Sequence, residues 1–220
     1  MNKTIAFISQ KGGVGKSTLA RAVACDACKS GLSVKLADLD IQQGTVTEWH
    51  RQRLNNGYEP VGSVELFSKA SLAVEAAGSH DLLIIDGAPR ASSGTLDTAQ
   101  QADLIILPTC ASRDDLIPAI KLAYELENKG IPRDKIALAL VRVSTEAEIA
   151  DAREYIGQSG FTVLIGCLYE KPAYRQAQND GLSVTETRYK SLNDKANELL
   201  ESILTHLMSE VMTTSSFDSQ

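Results

Sequence analysis

The chain alternates between two kinds of segment. Short apolar runs rich in β-branched residues recur at TIAFIS (4–9), VKLAD (34–38), DLLIID (81–86), DLIILP (103–108), KIALALV (135–141) and FTVLIG (161–166). Between them lie stretches of helical period, over 16–30, 45–55, 68–77, 114–129 and 146–158. This alternation predicts an α/β fold in a single domain, a mostly parallel twisted sheet with helices on both faces. Gly31 suits the left-handed position that ends the first helix, and Asn55-Asn56-Gly57, Gly87-Ala88-Pro89 and Gly130-Ile131-Pro132 mark loops. Near the end, Leu192, Ala196, Leu199, Leu200, Ile203, Leu204, Leu207 and Val211 recur at three and four, an apolar stripe that packs on the sheet or on a partner. The folded domain is expected over 1–212, with 213–220 a flexible tail.

Composition narrows this picture. The 220 residues are 43% apolar and 23% charged, the balance of an ordinary globule. No run is long enough to span a membrane, and the start MNKTIAFISQKGG has too short an apolar run for a signal peptide, so a cytoplasmic protein is expected. Four cysteines, too few and too uneven for a disulfide framework, agree with a reducing compartment. The net charge is −6, of which Glu198, Glu201, Glu210 and Asp218 supply four units after Ala196, where there is no Lys or Arg. Any surface for a polyanion must therefore precede Ala196.

The chemistry is concentrated in Lys11-Gly12-Gly13-Val14-Gly15-Lys16-Ser17-Thr18, which follows the first strand and opens the first helix. Glycines let backbone N–H groups curl around phosphate oxygens, the helix N-terminus adds positive partial charge, and Lys16 reaches the β- and γ-phosphates. Ser17 would ligate Mg²⁺. Such a turn can be merely tight, but two aspartates stand downstream in the right setting. Asp40 and Asp86 close strands, where ligands bind in open α/β sheets. Asp86 is placed to hold Mg²⁺ through water and Asp40 to orient an attacking water. Asp38, one step deeper on the face of Asp40, suits a structural hydrogen-bonding role. The expected cofactors are ATP and Mg²⁺. Where the common P-loop pattern has Gly, this chain has Gln10 followed by a second lysine, Lys11.

These residues, with the strand end DLDIQQ and the segment IIDGAP, resemble the ParA/MinD family of deviant Walker ATPases, most of all the small ParA-type partition proteins. The likeness runs from Thr4 to about Glu186. It implies an ATP-dependent sandwich dimer in which Lys11 crosses to the partner's phosphates as an arginine finger does. It also implies non-specific DNA binding, an adaptor protein bound to a centromere or other cargo that stimulates hydrolysis, and association with the nucleoid when ATP is bound. Three positions depart from the family pattern. Ile41 replaces a usual Pro, Arg142 stands where an Asn often reads adenine, and Gly87-Ala88-Pro89 replaces a Thr-Pro-Pro-like turn.

Other signals are weaker. Cys25 and Cys28 form a C-x-x-C in mid-helix, where burial as small apolar residues outweighs redox chemistry. His50, His80 and His206 share no metal-binding spacing. Trp49 with His50, Arg51 and Arg53 reads as a solvated helix face with one core aromatic. Lys171, Arg175, Arg188, Lys190 and Lys195 outnumber the acidic residues around them, a candidate DNA surface that an ATP-driven dimer would double. The acidic end of the chain speaks against membrane attachment through a basic helix. Two functions remain: a DNA- or cargo-positioning ATPase, or a metabolic ATP-dependent ligase of the dethiobiotin synthetase type. The ligases usually lack a lysine at the Lys11 position, which favours the first.

Overall fold

The structure is a computed structural model, and it describes residues 2–88 and 93–214. Five strand–helix units build most of the chain: β1 (Lys3–Phe7) with α1 (Lys16–Lys29), β2 (Val34–Asp38) with α2 (Thr45–Asn55), β3 (Ser63–Leu66) with α3 (Ala70–Ala77), β4 (Leu82–Asp86) with α4 (Ser93–Gln101), and β5 (Leu104–Thr109) with α5 (Arg113–Asn128). Then come β6 (Ile136–Val143), α6 (Glu146–Gln158), β7 (Thr162–Val163), β8 (Leu168–Tyr169), α7 (Pro172–Asn179) and α8 (Lys190–Thr214). The sheet order is β3-β2-β4-β1-β5-β6-β7, with β8 also on β6, and every pairing is parallel. Strand order reverses beside β1, which opens a crevice at its carboxyl end.

Alternation along each strand feeds two apolar layers. Ile5 and Phe7 join Leu19, Trp49 and Leu199 on one face, whereas Ala6 and Ile8 join Leu116 and Ile149 on the other. The stripe on α8 belongs to the first layer: Ala196, Leu199, Leu200, Ile203 and Leu207 are all buried there. It packs on the sheet of its own chain. None of the helices in the described residues is long and apolar enough to cross a membrane.

The structure differs from expectation in places. The run 161–166 is strand only over Thr162–Val163; the chain then turns at Gly166, φ 74, where a Cβ would stand 2.6 Å from the Leu199 amide nitrogen of α8. The short strand β8 resumes the pairing with β6. Elements β3, α4 and α7 had no apolar signal strong enough to announce them. The expected tail lies outside the described residues from 215 onward, as does Pro89 of the expected turn.

Helix α2 is fastened at both ends. Its N-cap residue, Gly44, has no side chain, and buried Asp38 substitutes by accepting the Val46 and Thr47 amides at 2.9 and 3.3 Å. At the other end Arg53 is only 4% exposed and pairs with Glu186 at 2.7 Å, so the face expected to be solvated carries a buried cation. Long-range tertiary contact overrides the local pattern here. Trp49 is in the core, and its indole donates to the Leu182 carbonyl at 3.1 Å. Cys25 lies beside Glu186, and burial pushes its thiol up to about 12, as an inert small side chain requires.

Burial works to raise the Glu186 carboxyl, but bonds from Arg53, the Ser183 amide and Lys29 overrule it and draw it down to about 2. A depressed carboxyl stabilises the fold above its unfolded value of 4.5 and loses that contribution as pH falls towards 2. Glu186→Gln should cost about 3 kcal/mol at neutral pH by leaving Arg53 unpaired. In urea unfolding, the gap between the two proteins should narrow at about pH 3 relative to about pH 7. An equal gap at both would show that the pair contributes nothing through its charge.

Candidate functional site

The loop between β1 and α1 is shaped by glycine. Gly15 sits at φ 90, a conformation that favours glycine, and a Cβ there would also crowd Val141 Cγ2 at 3.3 Å. Helix α1 starts at the next residue with no side-chain cap, leaving first-turn N–H groups free to serve a ligand. Lys16 is 7% exposed, and burial lowers its ammonium pKa while Asp86 and Asp40 hold it up.

Beneath Lys16 stands Asp86. Register places it beside Phe7 of β1 and Asp38 of β2, on the face towards α1. Ser17 Oγ donates to Asp86 Oδ2 at 2.6 Å, and Oδ1 is buried without a hydrogen-bond partner. Burial pushes this carboxyl up to about 7 against the pull of the Ser17 bond. A cavity of about 490 Å³ opens above the pair, lined by the glycine loop, Lys16, Ser17 and Thr18, and by Asp40 and Arg142. A hydroxyl and a carboxylate with an unused oxygen suit a hard divalent cation, and a loop of free N–H groups suits phosphate. The residues fit both groups.

Asp40 lies on the cavity wall in the loop from β2 to α2. Its amide donates to Asp38 Oδ1 at 3.0 Å, its Oδ1 accepts the Gln43 amide at 3.1 Å, and its carbonyl accepts the Gly44 amide at 2.7 Å. The carboxylate is thus set by its own turn.

Lys11 reaches away from the cavity. Its Nζ donates to Asp115 Oδ1 at 2.8 Å and to the Asp114 carbonyl. The second contact has a covalent origin: Pro118 lies inside α5 and has no N–H, so the carbonyl four residues back lacks its helical donor. Arg142, at φ 54 the one non-glycine residue with positive φ among the described residues, donates to the Gly13 carbonyl at 3.1 Å and to Glu170 at 2.7 Å. It ties the glycine loop to the far wall.

Each of the five cations of the candidate DNA surface already has a partner in its own chain. Arg175 bonds Glu170, Lys190 pairs with Asp194 at 2.9 Å, Lys171 and Lys195 lie over the Tyr169 ring, and Arg188 lies over Tyr189. Lys171 and Arg175 also line the cavity. Sequence reasoning missed Arg21 and Gln178, which line it too. Arg21 could have been noticed, since it stands four residues after Ser17 on the same helical face; Gln178 gives no such signal.

The CobQ/CobB/MinD/ParA nucleotide binding domain matches residues 5–206. The chain belongs to this family. Solved structures share the fold across nearly the whole chain. MinD of Pyrococcus horikoshii OT3, the septum site-determining protein complexed with Mg-ADP, superposes with a TM-score of 0.72 at 17% identity, covering 92% of this chain and 96% of that one. An ATP complex of Cyanothece McdA gives 0.68 at 20% identity over 91% and 96%. A candidate plasmid partition protein of Borrelia burgdorferi B31 bound to AMPPNP gives 0.70 at 17% over 93% and 99%. Identities this low carry the fold alone. Comparison with curated proteins by sequence finds no match.

Lys16→Ala should abolish binding of a fluorescent ATP analogue, measured by anisotropy, because it removes the cation at the mouth of the helix while leaving the loop backbone in place. Affinity within about threefold of the unmodified chain, roughly 0.7 kcal/mol, would place the phosphates elsewhere.

Proposed function

We propose that the chain is a ParA-type ATPase that hydrolyses ATP, pairs with a second copy when ATP is bound, and positions DNA or another large cargo through an adaptor protein. The observation that carries this reading is the deviant loop itself: a phosphate loop with Lys16 directed inward and Lys11 on the surface, held by α5 and free of its own cavity. In this reading Gly12 to Thr18 cradle the triphosphate, Arg142 borders the base and ribose, and Ser17 and Asp86 hold Mg²⁺. The cation supplies neutralisation of charge on the phosphates. Asp40 orients the attacking water from the opposite wall. Lys11 leaves Asp115 and serves the phosphates of the partner subunit. A small-molecule ligase would have no use for a lysine so placed.

Two substitutions separate the steps. Asp40→Ala should bind ATP normally, hydrolyse it roughly 100-fold more slowly, and accumulate as a dimer in light scattering. Lys11→Ala should bind ATP as a monomer and lose turnover. Normal turnover in Asp40→Ala would move the water-orienting role to another residue, and an unaltered dimer in Lys11→Ala would confine Lys11 to its own subunit.

The DNA surface would be formed by Lys171, Arg175, Arg188, Lys190 and Lys195 from two subunits, and contacts of this kind weaken with salt at about −0.9 per phosphate on a log–log scale. Retention of duplex DNA on filters should require ATP and fall steeply with added salt. Arg188→Ala combined with Lys195→Ala should flatten that slope and leave basal ATP hydrolysis unchanged. No retention under any condition points to a protein track, and stimulation by a small carboxylic acid points to the ligase.

A further inference from the structure

Arg21 is a buried cation with no role in the scheme above. Helix α1 carries it one turn beyond Ser17, where it is 7% exposed. Its Nη2 donates to the Thr45 carbonyl at 2.6 Å and its Nη1 reaches Gln178 Oε1 at 3.4 Å, while Nε is buried with no acceptor. The guanidinium lies over the Trp49 ring at 5.4 Å. None of these partners is a carboxylate. Burial lowers its pKa to about 10, with Asp86 and Asp38 the charges that oppose the shift. A cation buried without a carboxylate in contact costs stability that its two hydrogen bonds offset only in part.

What it fixes is visible in the chain it grips. Thr45 is the first residue of α2, directly after the loop 39–44 that carries Asp40. Asp38 anchors the start of that loop by accepting the Asp40 amide at 3.0 Å, and Arg21 anchors its end. Gln178 completes the frame, because its Oε1 also accepts Thr18 Oγ1 at 3.1 Å. The phosphate-binding helix, the loop with Asp40 and the α7 wall are therefore joined through one guanidinium.

We infer that Arg21 is a positioning residue: it holds the Thr45 carbonyl so that the preceding loop presents Asp40 to the γ-phosphate end of the cavity. The inference rests on the role given to Asp40 above. Arg21 lines the cavity, but in this scheme it acts through the loop, not on the reacting atoms.

The experiment compares Arg21→Gln and Arg21→Lys in the full chain, each with and without Asp40→Ala, measuring ATP turnover and affinity for the fluorescent analogue. Arg21→Gln should lower turnover at least about tenfold while analogue affinity stays within about threefold, and Arg21→Lys should recover part of the loss. In the Asp40→Ala background the same change should cost nothing further, since the two residues act in series. An equal loss in both backgrounds, or an affinity that falls in step with turnover, overturns the proposal and leaves Arg21 a structural cation. Hydrogen exchange without nucleotide keeps the test independent of the ATPase reading. Arg21→Gln should speed exchange of the Gln43 and Gly44 amides by about tenfold while β1 and β4 stay protected. Unchanged exchange at those amides refutes the proposal even if the chain hydrolyses nothing, whereas faster exchange in a chain without turnover faults the ATPase reading alone.

Discussion

Two carboxylates and two cations share a buried layer where the first helix meets the sheet, and their mutual compensation is the constraint that the rest of the structure meets. Asp38, Asp86, Lys16 and Arg21 are between 0% and 7% exposed. Any of them alone would cost several kcal/mol to bury. Parallel register sets Asp38 directly beside Asp86, which raises the local negative charge, and α1 answers with a lysine at its mouth and an arginine one turn in. The helix cannot slide along the sheet without parting these charges. One oxygen of Asp86 remains without a donor, and that residual demand is what a cation with its phosphates would meet.

Helix α2 transmits this constraint across the molecule. Asp38 holds its first turn, Glu186 holds its last through Arg53, and Trp49 between them lies under both Arg21 and Arg53. The loop 39–44 therefore starts from a rigid frame. The segment 181–186, which closes the far end of that frame, is fixed by side chains of α2, with the Gly181 carbonyl taking Arg53 and the Leu182 carbonyl taking Trp49.

Much of this architecture was legible because it follows from local pattern. The central strands are uninterrupted apolar runs, and the glycine loop states its own purpose through residue type and order. Elements β3, α4 and α7 were not legible, for physical reasons. The strand β3 lies at the sheet edge and is only partly buried; α4 has the polar sequence SGTLDTAQQ; and α7 buries just Tyr174 and Ala177. The glycine loop, Lys16, Ser17 and the aspartates could be nominated by position alone. Arg21 and Gln178 meet across 157 residues of sequence, and Arg53 finds Glu186 across 133, distances at which single-chain periodicity carries no information. Arg175 is a different case: its partner Glu170 is only five residues away, but it stands just before the stretch in which the charges were counted.

Pro118 turns a missing hydrogen bond into a receptor. A proline inside α5 frees one backbone carbonyl, and the neighbouring carboxylate of Asp115 completes a socket in which the ammonium of Lys11 is seated. An equilibrium that begins from an occupied socket is weakened in proportion to the fraction of molecules that have released it. Pairing of two subunits through this lysine would then have a threshold: only an acceptor richer in negative charge than one carbonyl and one carboxylate draws it across. The defect in the helix would make the encounter between subunits selective for what each of them carries.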